Sequence, residues 1–212
     1  VTMTGALSFL SKVLGRGRRP PTTLENLLTV VVIARLNVRT IPEDRTFYYG
    51  EPLDKVLAAK SLGEVTDGGI MFNTDTGRID YVDLEIGLQD SSNETLSVIA
   101  ETLEGLGAPV GSFLEILPEK HRLHFGRYEG MSLALDRAGF SNPGDPSDEV
   151  NDILLAIEAA LVEVGAFRGY WEGERACELY FYGPSFDDMR ASIASLAKSE
   201  PRLAQSAITQ IA

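Results

Sequence analysis

The sequence predicts an α+β protein built from two ferredoxin-like βαββαβ repeats packed into one compact unit. Three observations carry this prediction. Residues 165–183 place two aromatic and apolar runs around the polar turn Glu172-Gly-Glu-Arg175, the pattern of a β-hairpin. Helix-period segments flank that hairpin, and the same order of helix, hairpin, helix and strand occurs around residues 69–88. Between Asp80 and Leu88 the alternation is strict. Val82, Leu84, Ile86 and Leu88 face one way, and Tyr81, Asp83, Glu85 and Gln89 the other, as in a half-buried antiparallel strand.

Taken in order, Ala6, Leu7, Leu10, Val13 and Leu14 recur at helical spacing and predict a short amphipathic helix over 5–14. Glycines, arginines and Pro20-Pro21 make 15–21 a linker. The apolar face followed by arginines can dock on the body or touch an anionic surface. Thr22 and Glu25 fit a capping box for a brief helix through Leu28. Residues 1–28 thus form a segment ahead of repeats assigned to 29–120 and 121–212.

Residues 29–33 are β-branched throughout and predict a buried strand, followed by a loop over 38–50. Pro52 suits a first helical turn, Leu53, Val56, Leu57 and Leu62 make an apolar stripe, and Gly63 is placed to stop that helix. In the strand 64–72, Gly68-Gly69 marks a bulge or a close backbone approach. Residues 73–77 are turn chemistry. Ser91 or Ser92 caps a helix with Leu96, Ile99, Leu103 and Leu106 inward; 107–109 ends it and 111–117 is a strand.

The second repeat begins with a strand over 131–135, paired with 122–127. Ser147 or Asp148 caps a helix through Val164, its stripe formed by Leu154, Ile157, Leu161 and Val164. After the hairpin, Pro184 and Ser185 open a helix carrying Met189, Ile193 and Leu196, and 206–211 closes the sheet.

The formal net charge of -12 is uneven. Residues 1–22 hold Lys12, Arg16, Arg18 and Arg19 and no acid, leaving 15 basic against 31 acidic side chains, or -16, on the rest. Such a surface repels phosphate backbones, so nucleic acid is not the expected partner; a basic protein is. One cysteine, Cys177, excludes an internal disulfide and a Cys-rich zinc site. No apolar run approaches the roughly 20 residues of a membrane span. Charges follow the first apolar segment instead of preceding it, unlike a secretory signal, and a cytoplasmic location is expected.

Pro52-Leu-Asp54, Leu62-Gly-Glu-Val-Thr-Asp-Gly-Gly69, Leu106-Gly-Ala-Pro-Val-Gly-Ser112 and Leu179-Tyr-Phe-Tyr-Gly183 resemble a family of uncharacterised bacterial proteins, comparable to small immunity or regulatory proteins with ferredoxin-like repeats. The resemblance covers residues 40–212 and rests on turns and helix ends. It implies an immunity-like binding role and supplies no catalytic residues.

Few constellations suggest chemistry. His121 and His124 stand near Glu119, but positions three apart on a strand face opposite ways. Asp75, Asp80, Asp83 and Glu85 make an acidic patch; Asp83 and Glu85 share a strand face, and an alternative reading is a metal-dependent hydrolase built on them. Cys177 alternates with Leu179 and Phe181 and is expected to be a buried, inert thiol. Gly68-Gly69 lacks the lysine and hydroxyl residue of a phosphate loop, and Ser112 and Ser185 lack nucleophile-elbow context. The expectation is therefore no enzyme, no cofactor and no metal site.

The aromatic hairpin is the main candidate for binding. With Phe167, Trp171, Leu179 and Phe181 inward, Arg168, Tyr170, Glu172, Glu178, Tyr180 and Tyr182 share the outer face. Tyrosines offer contact area at small entropy cost. Tyr170, Glu172, Glu178, Tyr180 and Tyr182, with Asp83 and Glu85, are the expected partner-binding residues, for a basic protein or a second copy in a homodimer. Packing of that face between the repeats is the competing outcome. Base stacking on such a sheet would lack electrostatic support here.

Overall fold

Alternating apolar residues build two antiparallel sheets, and amphipathic helices cover one face of each. The computed structural model describes residues 30–142 and 147–212; the expected N-terminal helix, linker and capping box lie outside the described residues. The first sheet has the order β2-β3-β1-β4-β5, from β1 (Val30–Leu36), β2 (Gly63–Phe72), β3 (Ile79–Leu88), β4 (Ser112–Leu117) and β5 (His121–Phe125). The second runs β7-β8-β6-β9, from β6 (Glu129–Asp136), β7 (Ala166–Glu172), β8 (Ala176–Gly183) and β9 (Ala207–Gln210). Counted within each repeat, both sheets contain the order 2-3-1-4 of a ferredoxin-like βαββαβ unit.

Several local expectations hold with their chemistry. Val82, Leu84, Ile86 and Leu88 are buried on the helix side of β3. In the 73–77 turn, the Asn73 side-chain oxygen accepts the Asp75 and Thr76 amides at 3.1 and 3.0 Å. The Ser92 hydroxyl caps α3 (Asn93–Gly105) by accepting the Thr95 amide, and Ser185 does the same for α5 (Phe186–Leu196) through Asp188. Helix α4 (Ser147–Leu161) buries Ile153, Ile157 and Leu161.

Other expectations give way to tertiary context. The loop expected over 38–50 is largely helical. Helix α1 (Pro42–Arg45) runs through a π-helical turn, Thr46–Gly50, into α2 (Glu51–Lys60). Pro42 opens it, and the wide turn carries Tyr49 into the core. Ser61 ends α2 in the left-handed region (φ 53°), a role expected of Gly63, which instead starts β2. The register of β2 shifts at Thr66 and again between Met71 and Phe72, and not at Gly68-Gly69. Gly68 serves close approach, because a Cβ there would collide with the Asp83 carbonyl oxygen and the Arg45 guanidinium. Residues 122–127 do not pair with β6. Strand β5 joins β4 with Glu115 opposite Arg122, so it belongs to the first sheet although it lies past residue 120.

The two repeats meet where the outer face of the second sheet packs on the first. Tyr180 and Tyr182 are each 1% exposed and belong to the same core as Leu36, Val38 and Tyr49. The Tyr182 hydroxyl accepts the Arg39 amide at 2.9 Å. Gly169 lies so close to this segment that a Cβ would overlap the Arg39 carbonyl oxygen. Glu178 accepts hydrogen bonds from Arg78, Tyr180 and Ser132, and the Arg78 guanidinium lies 4.3 Å from the Trp171 ring centroid. Glu178, Tyr180 and Tyr182 are therefore a seam between the repeats and not the exposed binding surface expected of them.

The hairpin's two faces are also reassigned. The β7–β8 register shifts between Phe167 and Gly169, so one extra residue reverses the side-chain parity beyond it. Trp171 now pairs with Glu178 on the seam face, while Tyr170 and Glu172 pair with Leu179 and Cys177 on the helix face. Tyr170 and Glu172 are exposed, as expected, but on the opposite side from the tyrosines of β8.

Candidate functional site

The alternation that buries Val32, Ala34 and Leu36 under the helices turns Val31, Ile33 and Arg35 outward. Antiparallel pairing then sets the rows of that outer face. Arg35 stands between Asp83 and Phe113, with His124 beyond; Ile33 stands between Glu85 and Glu115, with Arg122 beyond. The sheet remains open there: Val31 is 39% exposed, and Glu85, Arg122 and His124 are exposed.

Ion pairs and ring contacts hold this face in one arrangement. Arg35 donates to both Asp83 carboxylate oxygens, Nε–Oδ1 at 2.9 Å and Nη2–Oδ2 at 3.1 Å. Its guanidinium lies 3.8 Å from the Tyr81 ring centroid and 5.3 Å from that of Phe113. On the far side of Phe113, Arg122 lies 4.4 Å from the same ring and donates to Glu115 at 2.8 Å. The row Tyr81–Arg35–Phe113–Arg122 thus alternates rings and cations, with a carboxylate bound to each guanidinium. The hydrogen bond to Asp83 raises the Arg35 pKa above its ordinary value, so the cation is permanent. Glu64, Asp67, Asp83, Glu85 and Glu115 outnumber Arg35 and Arg122 on this face.

The two carboxylates that the sequence singles out both have partners on this face. Asp83 is engaged by Arg35, and Glu85 is within hydrogen-bond reach of the Thr66 hydroxyl at 3.2 Å. Among the described residues, no group of three His, Cys, Asp or Glu side chains is placed to share a metal ion. His124 lies beside Phe113 on the outer face, while His121 pairs with Ile116 and faces the helix side. The Cys177 thiol is 3% exposed, and burial pushes its pKa up to about 11, with the Glu172 charge adding to the effect. It is the small inert core residue expected.

Asp83 and Glu85 thus stand on an open face with residues that the sequence pattern did not single out. Arg35, Phe113 and Arg122 come from three strands, and only their pairing brings them together. The available signal was Arg35 itself, a lone cation in the outward register of a β-branched strand.

No family model and no curated protein matches the chain. Similar solved structures include an unknown protein from Galdieria sulphuraria, at 9% identity over 85% of this chain and 96% of that one, with a TM-score of 0.28. A monooxygenase-like protein from Fusobacterium nucleatum is 10% identical over 85% of this chain and 90% of that one, with a TM-score of 0.28. An anthrone oxidase-like protein is 13% identical over 85% of this chain and 90% of that one, with a TM-score of 0.24. The expectation that the chain is no enzyme is not kept, because proteins described as monooxygenase- and oxidase-like stand among these neighbours. At such scores the likeness also assigns this chain no activity. No helix among the described residues is long and apolar enough to cross a membrane.

Proposed function

We propose that the protein binds, in the inhibitory manner of an immunity-like protein, a basic protein partner on the outer face of its first sheet. The observation that carries this reading is the fixed row Tyr81–Arg35–Phe113–Arg122 on an open sheet rich in carboxylates. Tyr and Arg are the residues that most often dominate binding energy at protein interfaces. Here their side chains are held in place before any encounter, which lowers the ordering cost of association. The acidic excess steers a basic partner toward the face and disfavours acidic ones.

The test is capture from the native host at low and high salt, with the wild type beside a Tyr81→Ala/Glu85→Lys double variant and a Glu172→Gln control. A basic protein should be captured, weaken as salt rises, vanish with the double variant and persist with the control. Hydrogen exchange on the complex should protect β1, β3 and β4. Capture indifferent to the double variant, or protection elsewhere, would overturn the reading. Sedimentation showing this face closed in a homodimer would do the same.

A further inference from the structure

The parity reversal in β7 creates a second feature, separate from the first sheet. Tyr170 and Glu172 are carried to the helix side of the second sheet, where α4 stands over the edge strand. Between them lies a cleft of about 370 Å³, walled by Val150, Leu154, Phe167 and Leu179. Its size falls within the range of small-molecule sites, roughly 300–1,000 Å³, and its lining is the usual mixture of apolar walls with a few polar groups. A larger concavity, about 720 Å³, spans Ala134, Ala176 and Ala207 at the far end of the other face, but it is shallow, and its alanines are bordered by the charged side chains of Asp136, Glu174 and Arg175.

We infer that the cleft binds a small organic cation: an apolar, preferably aromatic, body carrying a protonated amine. The apolar body rests on Leu154, Phe167 and Leu179. The ammonium lies at the mouth, between the Tyr170 ring and the Glu172 carboxylate. These two residues sit two apart on one strand and therefore share a face. Tyr170 is 53% exposed, and neither its hydroxyl nor the Glu172 carboxylate makes a hydrogen bond or ion pair among the described residues. An open aromatic face beside an unengaged carboxylate is a cation site by both quadrupole and charge. Arg137 also lines the cleft and donates to the Gly173 carbonyl at 3.1 Å, a bond that fixes its guanidinium without neutralising it, so the preference for a cation rests on Tyr170 and Glu172 at the mouth. The net charge of -12 raises the local concentration of cations and lowers that of anions. Cys177 at the floor is buried and protonated at neutral pH, so binding is non-covalent.

Three phenylethyl probes separate the terms: 2-phenylethylammonium, 2-phenylethanol and 3-phenylpropionate, each titrated into the full chain with amide chemical shifts as the readout. The ammonium should bind about tenfold more tightly than the alcohol, the factor that about 1.4 kcal/mol of cation recognition gives. The propionate should bind weakest of the three. Shifts should cluster at Leu154, Phe167, Tyr170 and Leu179. Glu172→Gln, an exposed change, should erase the preference for ammonium over alcohol, and Leu154→Trp should fill the cleft and abolish binding of all three. Tightest binding of the propionate, absence of saturable binding, or shifts outside the cleft would each overturn the inference. None of these outcomes bears on the first-sheet face, whose partner is unaffected by Glu172→Gln.

Discussion

The two outer sheet faces are the same kind of surface put to different ends. Each belongs to a ferredoxin-like repeat with the strand order 2-3-1-4, and each carries aromatic rings and carboxylates against which an arginine packs, Arg35 of the same sheet in the first and Arg78 of the other repeat in the second. In the second repeat the face is closed: Tyr180 and Tyr182 are buried, and Glu178 receives Arg78 from the first repeat. In the first repeat it is open, and its arginines are satisfied by carboxylates of the same sheet. Residues of the type that dominate protein interfaces have thus found one partner within the chain. What distinguishes the faces is the geometry of close approach, since Gly169 lets β7 meet the backbone at Arg39.

The comparison breaks most sharply at Tyr182. Tyr182→Ala should destabilise the fold by about 3–5 kcal/mol, the usual cost of deleting a buried ring. Tyr182→Phe keeps the ring but leaves the Arg39 amide without its acceptor, and should cost about 1–3 kcal/mol. Chemical denaturation of both variants measures the two steps. A loss below about 1 kcal/mol for the alanine variant would mean that the seam contributes little to stability.

Alkaline pH probes the same seam more gently. Burial, reinforced by the Glu178 charge, pushes the Tyr180 phenol from 10.0 up to about 12, and burial raises Tyr182 as well. Below pH 10 both folded and unfolded chains keep the proton, and the contribution is fully present. Between 10 and about 12 the unfolded chain releases it while the folded chain holds it, so stability falls as pH rises across this window. Tyrosinate absorbance from the seam should appear at higher pH in the folded than in the unfolded chain, and Tyr180→Phe should flatten the decline.

The smallest effect belongs to the open face. Glu85→Gln should change stability by less than about 0.5 kcal/mol, because an exposed side chain away from special backbone features rarely does more. Thermal melting checks this, and a larger loss would show that the face supports the fold instead of serving a partner.

The sequence by itself determined most of the strands and helices and the caps at Ser92 and Ser185. Period-two alternation fixed which side of β3 faces its helices, and Ser92 and Ser185 marked helix starts because only a side-chain oxygen there meets the free amides. It also placed the hairpin around 173–175 and the buried Cys177. The π-helical turn, the partner of β5 and the bulge that reverses Tyr170 and Trp171 were decided by the tertiary structure. So was the more important question of which aromatic face is covered. Tyrosine carries an apolar ring and a polar hydroxyl, so its pattern along a strand fits solvent as well as an interior that supplies a hydrogen-bond partner. For Tyr182 that partner is the Arg39 amide, 143 residues away in sequence, and only the packing of one repeat on the other brings the two together.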